Sequence, residues 1–234
     1  AWQNSLLDDA TGASRHREYW LSRFQGELSV LNLPADRNRP PVKTYKGSMF
    51  GFAIGRELSE ALFKLGREQN ASLFMILMAS VKALLYRYTG QTDIITGTPV
   101  ACRDHPDLED QIGLYVNTLA IRTQMNEEAG YLELLALVKD TILDAFAHQV
   151  YPFDRLLDEL GLARDMSRSP LFDVVVVLHN IVKGGTESLL EGVTIDRYQQ
   201  EFNVSKFDLS FNFSHSDTEI FAEIEYNTDL FSRA

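Results

Sequence analysis

The stretch Ile112-Gly113-Leu114-Tyr115-Val116-Asn117-Thr118-Leu119-Ala120-Ile121-Arg122 begins close to a glycine and passes into a run that favours a β-strand. Gly113 permits a tight backbone turn, and residues 119–123 then predict a strand. Asn117 stands between the two, and its side-chain amide can donate and accept hydrogen bonds at once. In a binding tunnel such an amide would orient an amide or a carbonyl group. Alternatively, it ties down its own loop.

Two further segments follow along the chain. The first, His148-Gln149-Val150-Tyr151-Pro152-Phe153-Asp154, places a histidine at the end of a helical pattern, which Pro152 then breaks. His148 could act as a general base, or it could cap the carboxyl end of the helix, where positive charge is favoured. The second, Arg164-Asp165-Met166-Ser167-Arg168-Ser169-Pro170-Leu171, predicts an ion-paired, hydrogen-bonded turn. A nucleophilic Ser167 is less favoured, since no Gly-x-Ser-x-Gly elbow surrounds it.

Hydrophobic periodicity around these segments predicts a mixed sheet with helices laid against it. Apolar residues at helical spacing predict helices at residues 14–25, 58–65, 73–88 and 132–146. Ser72 fits the N-cap of the third helix, and Gly90 fits its end. Alternating or β-branched runs predict strands at residues 47–54, 93–100, 119–123, 172–178, 193–199, 207–213 and 219–226. Phe221, Ile224 and Tyr226 break strict alternation, which indicates a β-bulge or burial on both faces.

The composition indicates an acidic chain with a sizeable core. Its 234 residues are 45% apolar, which suffices for one core or for one lobe of a larger enzyme. The 22 basic and 33 acidic residues give a net charge of −11, which argues against nucleic acid or an anionic membrane as the main partner. No stretch approaches the roughly 20 apolar residues that a membrane helix needs. The single cysteine, Cys102, excludes an internal disulfide and favours a cytoplasmic location.

Neither metal nor nucleotide chemistry is indicated. The five histidines are scattered along the chain without the spacing of a metal site. No glycine-rich phosphate-binding loop is present. The three prolines of residues 33–41 favour an extended connector, suited to a crossing between two lobes. The chain opens on Ala1-Trp2-Gln3 without a methionine and stops after Arg233 and Ala234, so we expect both ends to lie within a larger polypeptide.

Together, the three segments resemble the last three core motifs of nonribosomal peptide synthetase condensation domains. The first segment matches that family's pattern Val/Ile-Gly-x-Phe/Tyr-Val-Asn-Thr from Ile112 to Thr118. Ala1-Trp2-Gln3 resembles the end of the motif that precedes them. Asp154 and Ser169 depart from the glutamate and asparagine that are more usual in the family. The family's catalytic motif, His-His-x-x-x-Asp-Gly, is absent from this chain.

The resemblance implies a fold and a division of the chain. The expected fold is an α/β (α+β) sandwich, a chloramphenicol-acetyltransferase-like lobe in which helices flank a mixed sheet. Residues 1–41 would be the end of the amino-terminal lobe and the connector between lobes. Residues 42–234 would be the carboxyl-terminal lobe. The strand near residues 208–213 would cross toward the other lobe.

The resemblance also implies a function. The complete domain would form peptide bonds between aminoacyl or peptidyl thioesters on carrier proteins, and this fragment would supply one wall of the substrate tunnel and be inactive alone. It implies no catalytic residue, no metal and no directly bound cofactor here, because the phosphopantetheine belongs to the carriers. The implied partners are the amino-terminal lobe, peptidyl or acyl carrier proteins and an adjacent adenylation domain. The implied substrate-binding residues are Tyr115, Asn117 and Thr118, and the implied structural ones are Gly113, Arg122, Pro152, Phe153, Arg164, Asp165 and Arg168.

Two alternatives remain open at this point, so enzymatic activity of the chain itself is undecided. A stand-alone acyltransferase of the same fold would need a histidine as base, and only His148 or His179 could serve. A non-catalytic module would instead dock carrier proteins without turnover.

Overall fold

The computed structural model describes residues 12–103, 106–108, 110–179 and 203–233. Within them lie helices α1 (Gly12–Arg23), α2 (Arg56–Gln69), α3 (Leu73–Thr89), α4 (Tyr131–Ala147) and α5 (Phe153–Leu160), with a 3-10 turn at Pro106–Leu108. The strands are β1 (Gly47–Ala53), β2 (Asp93–Val100), β3 (Asn117–Gln124), β4 (Val174–His179), β5 (Leu209–His215) and β6 (Ile220–Asn227). The strand predicted at residues 193–199 and the opening residues Ala1-Trp2-Gln3 lie outside this description.

The strands form one six-stranded sheet in the order β1-β6-β5-β4-β2-β3. Strand β4 pairs in parallel with β2 and with β5, and the remaining pairs are antiparallel. The valine run of β4 is buried in the middle of this sheet, as its unbroken β-branched sequence predicts. The predicted mixed sheet with flanking helices is therefore confirmed.

Helices α3 and α4 cover one face of the sheet. On that face, the Thr96 hydroxyl of β2 donates to the Met78 sulfur of α3 at 3.3 Å. Helix α3 begins as predicted, with the Ser72 side chain accepting from the Met75 amide, and it ends at Gly90, whose φ is 67°. The buried faces of α3 and α4 therefore supply much of the core beneath β2 and β3.

A lysine lies inside this core. Lys82 of α3 is completely buried, and its Nζ atom donates 2.9 Å hydrogen bonds to the carbonyl oxygens of Ile94 and Ile121. Burial lowers the pKa of Lys82 to about 7, against a smaller opposing effect of Asp93. The lysine therefore joins α3 to both β2 and β3 through backbone oxygens.

The residues before position 42 pack into the same core as the sheet. Trp20 of α1, Phe24 directly after it and Leu31 further on are all buried there. The proline-rich connector forms neither helix nor strand, as predicted, and the amide of Asp36 bonds to the carbonyl of Leu230 near the end of the chain. The polypeptide on both sides of the predicted boundary at residue 41 is thus joined by direct contacts.

The bulge predicted around Phe221, Ile224 and Tyr226 is wrong. Strand β6 pairs with β1 and with β5 in one continuous register. Ile220, Ala222 and Tyr226 are buried on one face, while Phe221 points to the other and stays 38% exposed. Burial on both faces occurs only at the end of β6, where Tyr226 and its neighbour Asn227 are both buried.

Among the described residues, no single helix has the length and apolarity of a membrane span. Helices α2 and α3 satisfy these two criteria only when they are taken together, as a pair bent by 109°.

Candidate functional site

The loop ahead of β3 is built around Arg103. Its guanidinium donates to the carbonyl oxygens of Leu108, Gln111 (2.8 Å) and Gly113 (3.3 Å). The same group lies 4.3 Å from the centre of the Tyr115 ring, and the Tyr115 hydroxyl donates to the Gln111 side chain at 2.8 Å. Charge-assisted bonds and a cation–π contact therefore hold this loop from within. Sequence reasoning assigned no role to Arg103.

The outer side of this loop is apolar and uncovered. Ile112 and Leu114 project almost entirely into solvent, and Val116 is 58% exposed. The three alternate along the chain with Gly113 and Tyr115, which belong to the arginine-centred side. Neighbouring exposed apolar side chains of this kind mark interaction surfaces. The loop therefore presents a defined apolar edge on an internally bonded scaffold.

Asn117, at the start of β3, fastens the turn between α4 and α5. Its Nδ2 donates 2.8 Å bonds to the carbonyl oxygens of Gln149 and Tyr151, and its Oδ1 accepts from the Phe153 amide at 3.1 Å. Both amide hydrogens and the carbonyl oxygen are thus engaged with backbone. We call residues 148–153 the 148–153 turn. The geometry gives Asn117 a structural role, whatever it contacts besides.

Aromatic rings join the second sequence segment to the residue that follows the third. Pro152 is the N-cap residue of α5. The Phe153 ring lies 5.5 Å from that of Phe172, which directly follows the third segment, and Phe172 lies 5.7 Å from Phe207. Phe172 also covers Gly97 of β2 so closely that no side chain fits there. The end of the second segment therefore packs against Phe172 on the sheet face opposite α3.

The third segment is an ion-paired turn, as its sequence predicts. Arg168 donates to Asp173 at 2.6 Å, and the Ser169 amide bonds to the other oxygen of the same carboxylate at 3.0 Å. Asp165 accepts from the hydroxyl and the amide of Ser167, and these two bonds lower its pKa. Ser167 thereby acts as a turn residue. Arg164 is exposed to solvent.

A second ion pair fixes the connector beside this turn. Arg39 donates to both carboxylate oxygens of Asp208, one of them at 3.2 Å, and to the carbonyl of Ser167 at 3.1 Å. Asp208 is buried, and burial raises its pKa although Arg39 opposes that effect. Lys43 bonds to the Ser169 hydroxyl from the same side. The connector and β5 are therefore joined through the third segment.

Arg122 uses its whole guanidinium group. Its Nε and Nη2 bind the Asp93 carboxylate, the shortest contact being 2.6 Å. Its remaining N–H groups reach the carbonyl oxygens of Arg23, Gln25 and Glu27 at 3.1 to 3.2 Å. All five donors of an arginine are thus engaged, and the bond to Asp93 raises the pKa of Arg122. The residue secures the segment after α1 to the sheet.

The two histidines considered as bases lie in different settings. His148 is buried, stacks on Tyr19 at 4.1 Å, and its pKa is lowered mainly by burial. His148 is the C-cap residue of α4, as its alternative role at the helix end requires, and the lowered pKa disfavours a positive charge there. His179 ends β4, is exposed, and lies 3.3 Å from the Asn212 amide oxygen.

Thr118, the remaining residue that the resemblance assigns to substrate binding, lies on β3 opposite Pro99 of β2.

Within the described ranges, no group of three or more His, Cys, Asp or Glu side chains is placed to hold a metal ion. The structure instead shows two sets of contacts that sequence reasoning missed: the ion pair of Arg39 with Asp208, and the hydrogen bonds from Arg103 to its loop carbonyls. One signal was available for the buried carboxylates. Asp173 directly precedes β4, and Asp208 directly precedes β5. An unpaired charge would be costly beside the apolar residues of these strands.

Comparison with known proteins identifies the family. A family model, Condensation domain, matches residues 1–234. The chain is 42% identical over 231 residues to gramicidin S synthase 2 of Brevibacillus brevis, covering 99% of this chain and 5% of that protein. It is 42% identical over 233 residues to bacitracin synthase 3 of Bacillus licheniformis, covering 100% of this chain and 4% of that protein. The chain thus spans only a small part of these relatives.

A solved structure supports the fold. The X-domain from teicoplanin biosynthesis superimposes with a TM-score of 0.89 at 22% identity, over 99% of this chain and 54% of that one. The sheet order and the flanking helices described above agree with the chloramphenicol-acetyltransferase-like fold of such domains. Since the family model covers the entire chain, the chain belongs to the condensation-domain family of nonribosomal peptide synthetases.

Proposed function

We propose that this chain is the carboxyl-terminal lobe of a condensation domain and forms one wall of its substrate tunnel. Residues 1–41 would contain the end of the amino-terminal lobe and the connector, and residues 42–234 the lobe itself. The partners would be the amino-terminal lobe, two carrier proteins bearing phosphopantetheine arms, and an adjacent adenylation domain. The acidic net charge of −11 supports partners other than nucleic acid or anionic membrane. The single cysteine supports a location in the cytoplasm.

The reaction would be aminolysis of a thioester. The amine nitrogen of the acceptor forms a bond to the donor carbonyl carbon, the carbon–sulfur bond breaks, and the amine loses a proton while the thiol is released. Holding two tethered substrates in line supplies much of the rate gain. The proton acceptor would belong to the amino-terminal lobe, since the family's histidine motif is absent from this sequence.

The observation that carries the proposal is the loop of residues 110–116. Its inner side is bonded through Arg103, while Ile112, Leu114 and Val116 face outward. An apolar edge held in one conformation suits a surface that is covered by another protein part. We propose that the amino-terminal lobe covers it, and that Tyr115, Asn117 and Thr118 behind it line the tunnel.

The chain's own residues would then position the reaction without taking part in it. Asn117 bonds to the backbone of the 148–153 turn, and Phe153, at the end of that turn, packs against Phe172. Gly113, Arg122, Pro152, Phe153, Arg164, Asp165 and Arg168 are proposed as structural residues of this wall. No cofactor would be bound directly.

The test combines the chain with a separately expressed amino-terminal lobe that carries the histidine motif. Both lobes are mixed with donor and acceptor carriers loaded with aminoacyl groups, and the dipeptidyl carrier is detected by mass spectrometry. The chain alone should give no product, and the mixture should give it. Product formed by residues 1–234 alone would contradict the proposal.

A loop variant makes the test specific. Replacing Ile112, Leu114 and Val116 together by serine should weaken association of the lobes at least about tenfold, while the melting temperature of the chain changes little. A matched control replaces Leu143 and Tyr88, which are exposed apolar residues of α4 and α3, by serine. The loop is not the interface if the control and the loop variant associate equally well.

The alternatives give other outcomes in the same experiment. A stand-alone acyltransferase would turn over without the second lobe and lose activity in His148→Ala or His179→Ala. The packing of His148 against Tyr19 gives this alternative little support. A non-catalytic docking module would bind a carrier protein while the combined lobes yield no dipeptide.

A further inference from the structure

Helix α1 rests on the 148–153 turn through a pair of histidines. The Nδ1 atoms of His16 and His148 lie 2.9 Å apart, with their rings edge to face at 4.9 Å between centres. Tyr19 stacks parallel to His148 on the same side of α1. The His16 ring is thus part of the contact between two elements that are 132 residues apart in sequence.

The backbone of the same turn is held from both sides. The indole N–H of Trp20 donates to the His148 carbonyl at 2.9 Å. The next carbonyls along the turn, those of Gln149 and Tyr151, accept from Asn117 of β3. The turn is therefore clasped between α1 and the strand that leads out of the exposed loop.

A bond between two Nδ1 atoms requires one proton between them. In the neutral pair, one ring donates its Nδ1–H and the other accepts with an unprotonated Nδ1. A first added proton can go to the outer nitrogen of the donor ring, so the bond survives. A second proton must occupy the accepting Nδ1, and it replaces the bond with two opposed N–H groups and two positive charges.

The surroundings do not offset that charge. Arg15 lies on the same helix and lowers the pKa of both rings, and Asp144 of α4 raises that of His148 by a smaller effect. On the α5 side, Glu159 is bonded to Arg17 at 2.6 Å and receives the Tyr151 hydroxyl. Burial is the largest cause of the lowered pKa in both histidines.

We propose that His16 and His148 form a proton-sensitive clasp, which holds α1 on the 148–153 turn at neutral pH and releases it when both rings are protonated. This is a conformational device within the fold, and it does not depend on the proposed function. It acts on the turn that Asn117 fixes, so release of α1 would loosen one support of the candidate site.

The direction of the pH effect follows from proton binding. The released state has ordinary histidines with a pKa near 6.5, and in the docked state both values are lower. Docking is therefore complete above about pH 6.5 and is lost as the pH falls through the lowered values of the docked pair. The two protonation steps are properties of the histidine pair and not of one ring each, since the rings interact directly.

Trp20 is a direct reporter, because it is 2% exposed and bonded to His148. The experiment uses the full chain with Trp2→Phe, so that Trp20 is the remaining tryptophan. Acrylamide quenching of its emission should rise at least about threefold between about pH 7.5 and about pH 5. The double variant His16→Gln, His148→Gln should show less than half of that rise. His215→Gln, an exposed histidine outside the pair, should leave it unchanged.

A second measurement covers the case in which the double variant fails to fold. Histidine ring signals in NMR give each pKa directly, and His16→Gln should move the pKa of His148 back toward 6.5, since His16 is one cause of its lowering. The clasp is refuted if His148 keeps its value in His16→Gln, or if quenching rises equally in the double variant and in the parent chain.

Discussion

The side-chain amide of Asn117 donates a 2.8 Å hydrogen bond to the carbonyl oxygen of Tyr151, 34 residues further along the chain. The same amide also holds Gln149 and Phe153. A residue expected to face a substrate is thus engaged with three backbone groups of its own fold. Its importance for any activity can be tested separately from its importance for stability.

Asn117→Ala should lower the free energy of unfolding by about 2–4 kcal/mol, because it leaves two carbonyls and one amide without their side-chain partner. Urea denaturation followed by circular dichroism measures this loss. Asn126→Ala is the matched control, since the Asn126 side chain accepts a bond from the Glu128 amide in an exposed loop, and it should cost less than about 1 kcal/mol. If Asn117→Ala kept full stability and lost only substrate affinity, a direct substrate contact would explain the residue instead.

Arg122→Lys should destabilise the chain by about 2–3 kcal/mol although the charge is retained. A lysine can keep contact with Asp93, but it cannot also reach the carbonyls of Arg23, Gln25 and Glu27. Differential scanning calorimetry of the variant checks the loss. Arg56→Lys, on an exposed pair with Glu60 at 3.7 Å, should change stability by less than about 0.5 kcal/mol. Equal effects of the two substitutions would mean that Arg122 acts only as a point charge.

Local sequence patterns predict most of the helices and strands, but they do not predict which distant residues contact one another. The ends of α3 follow from Ser72 and Gly90, and the valine run of β4 predicts a central strand, because caps and β-branched runs act within a few residues. The alternation rule failed at Phe221, since it cannot tell a bulge from the exposed side of a regular strand.

Long-range pairs carry no comparable signal in one sequence. Arg39 and Asp208 are 169 residues apart, and the sequence around neither residue indicates that the other is its partner. The two roles weighed for Asn117 could not be separated, because the choice depends on where the 148–153 turn lies in space. The pairing of His16 with His148 likewise exists only once α1 is packed on that turn.

Gly97→Ala should lower the free energy of unfolding by about 1–3 kcal/mol. A Cβ atom at Gly97 would stand inside the van der Waals radius of the Phe172 ring, which would have to leave its contacts with Phe153 and Phe207. Gly51→Ala, in β1, would place its Cβ 3.4 Å from the Glu223 side chain and 3.8 Å from the Ala222 carbonyl oxygen, which are ordinary contacts, and it should be nearly neutral. Urea denaturation compares the two, and an unchanged midpoint for Gly97→Ala would show that Phe172 moves without cost.

Lys82→Met should make stability less dependent on pH. Above about pH 7 the folded chain holds Lys82 as a neutral amine, whereas the unfolded chain keeps it protonated up to 10.5. The unfolded state therefore binds one more proton in this window, and the stability of the parent chain rises with pH by up to about 1.4 kcal/mol per pH unit. A methionine at this position contributes no such slope.

The two chains should therefore diverge as the pH rises. At about pH 9 the parent chain is expected to be the more stable. Its amine donates hydrogen bonds to the carbonyl oxygens of Ile94 and Ile121, and a methionine would leave both without a donor. At about pH 7 that advantage should shrink by about 2 kcal/mol, since folding removes a proton from the Lys82 amine and this removal costs more as the pH falls toward 7. Urea denaturation at both pH values gives the difference. Lys64→Met, at an exposed lysine of α2, should run parallel to the parent chain, and a parallel course for Lys82→Met as well would mean that the buried amine does not titrate in this range.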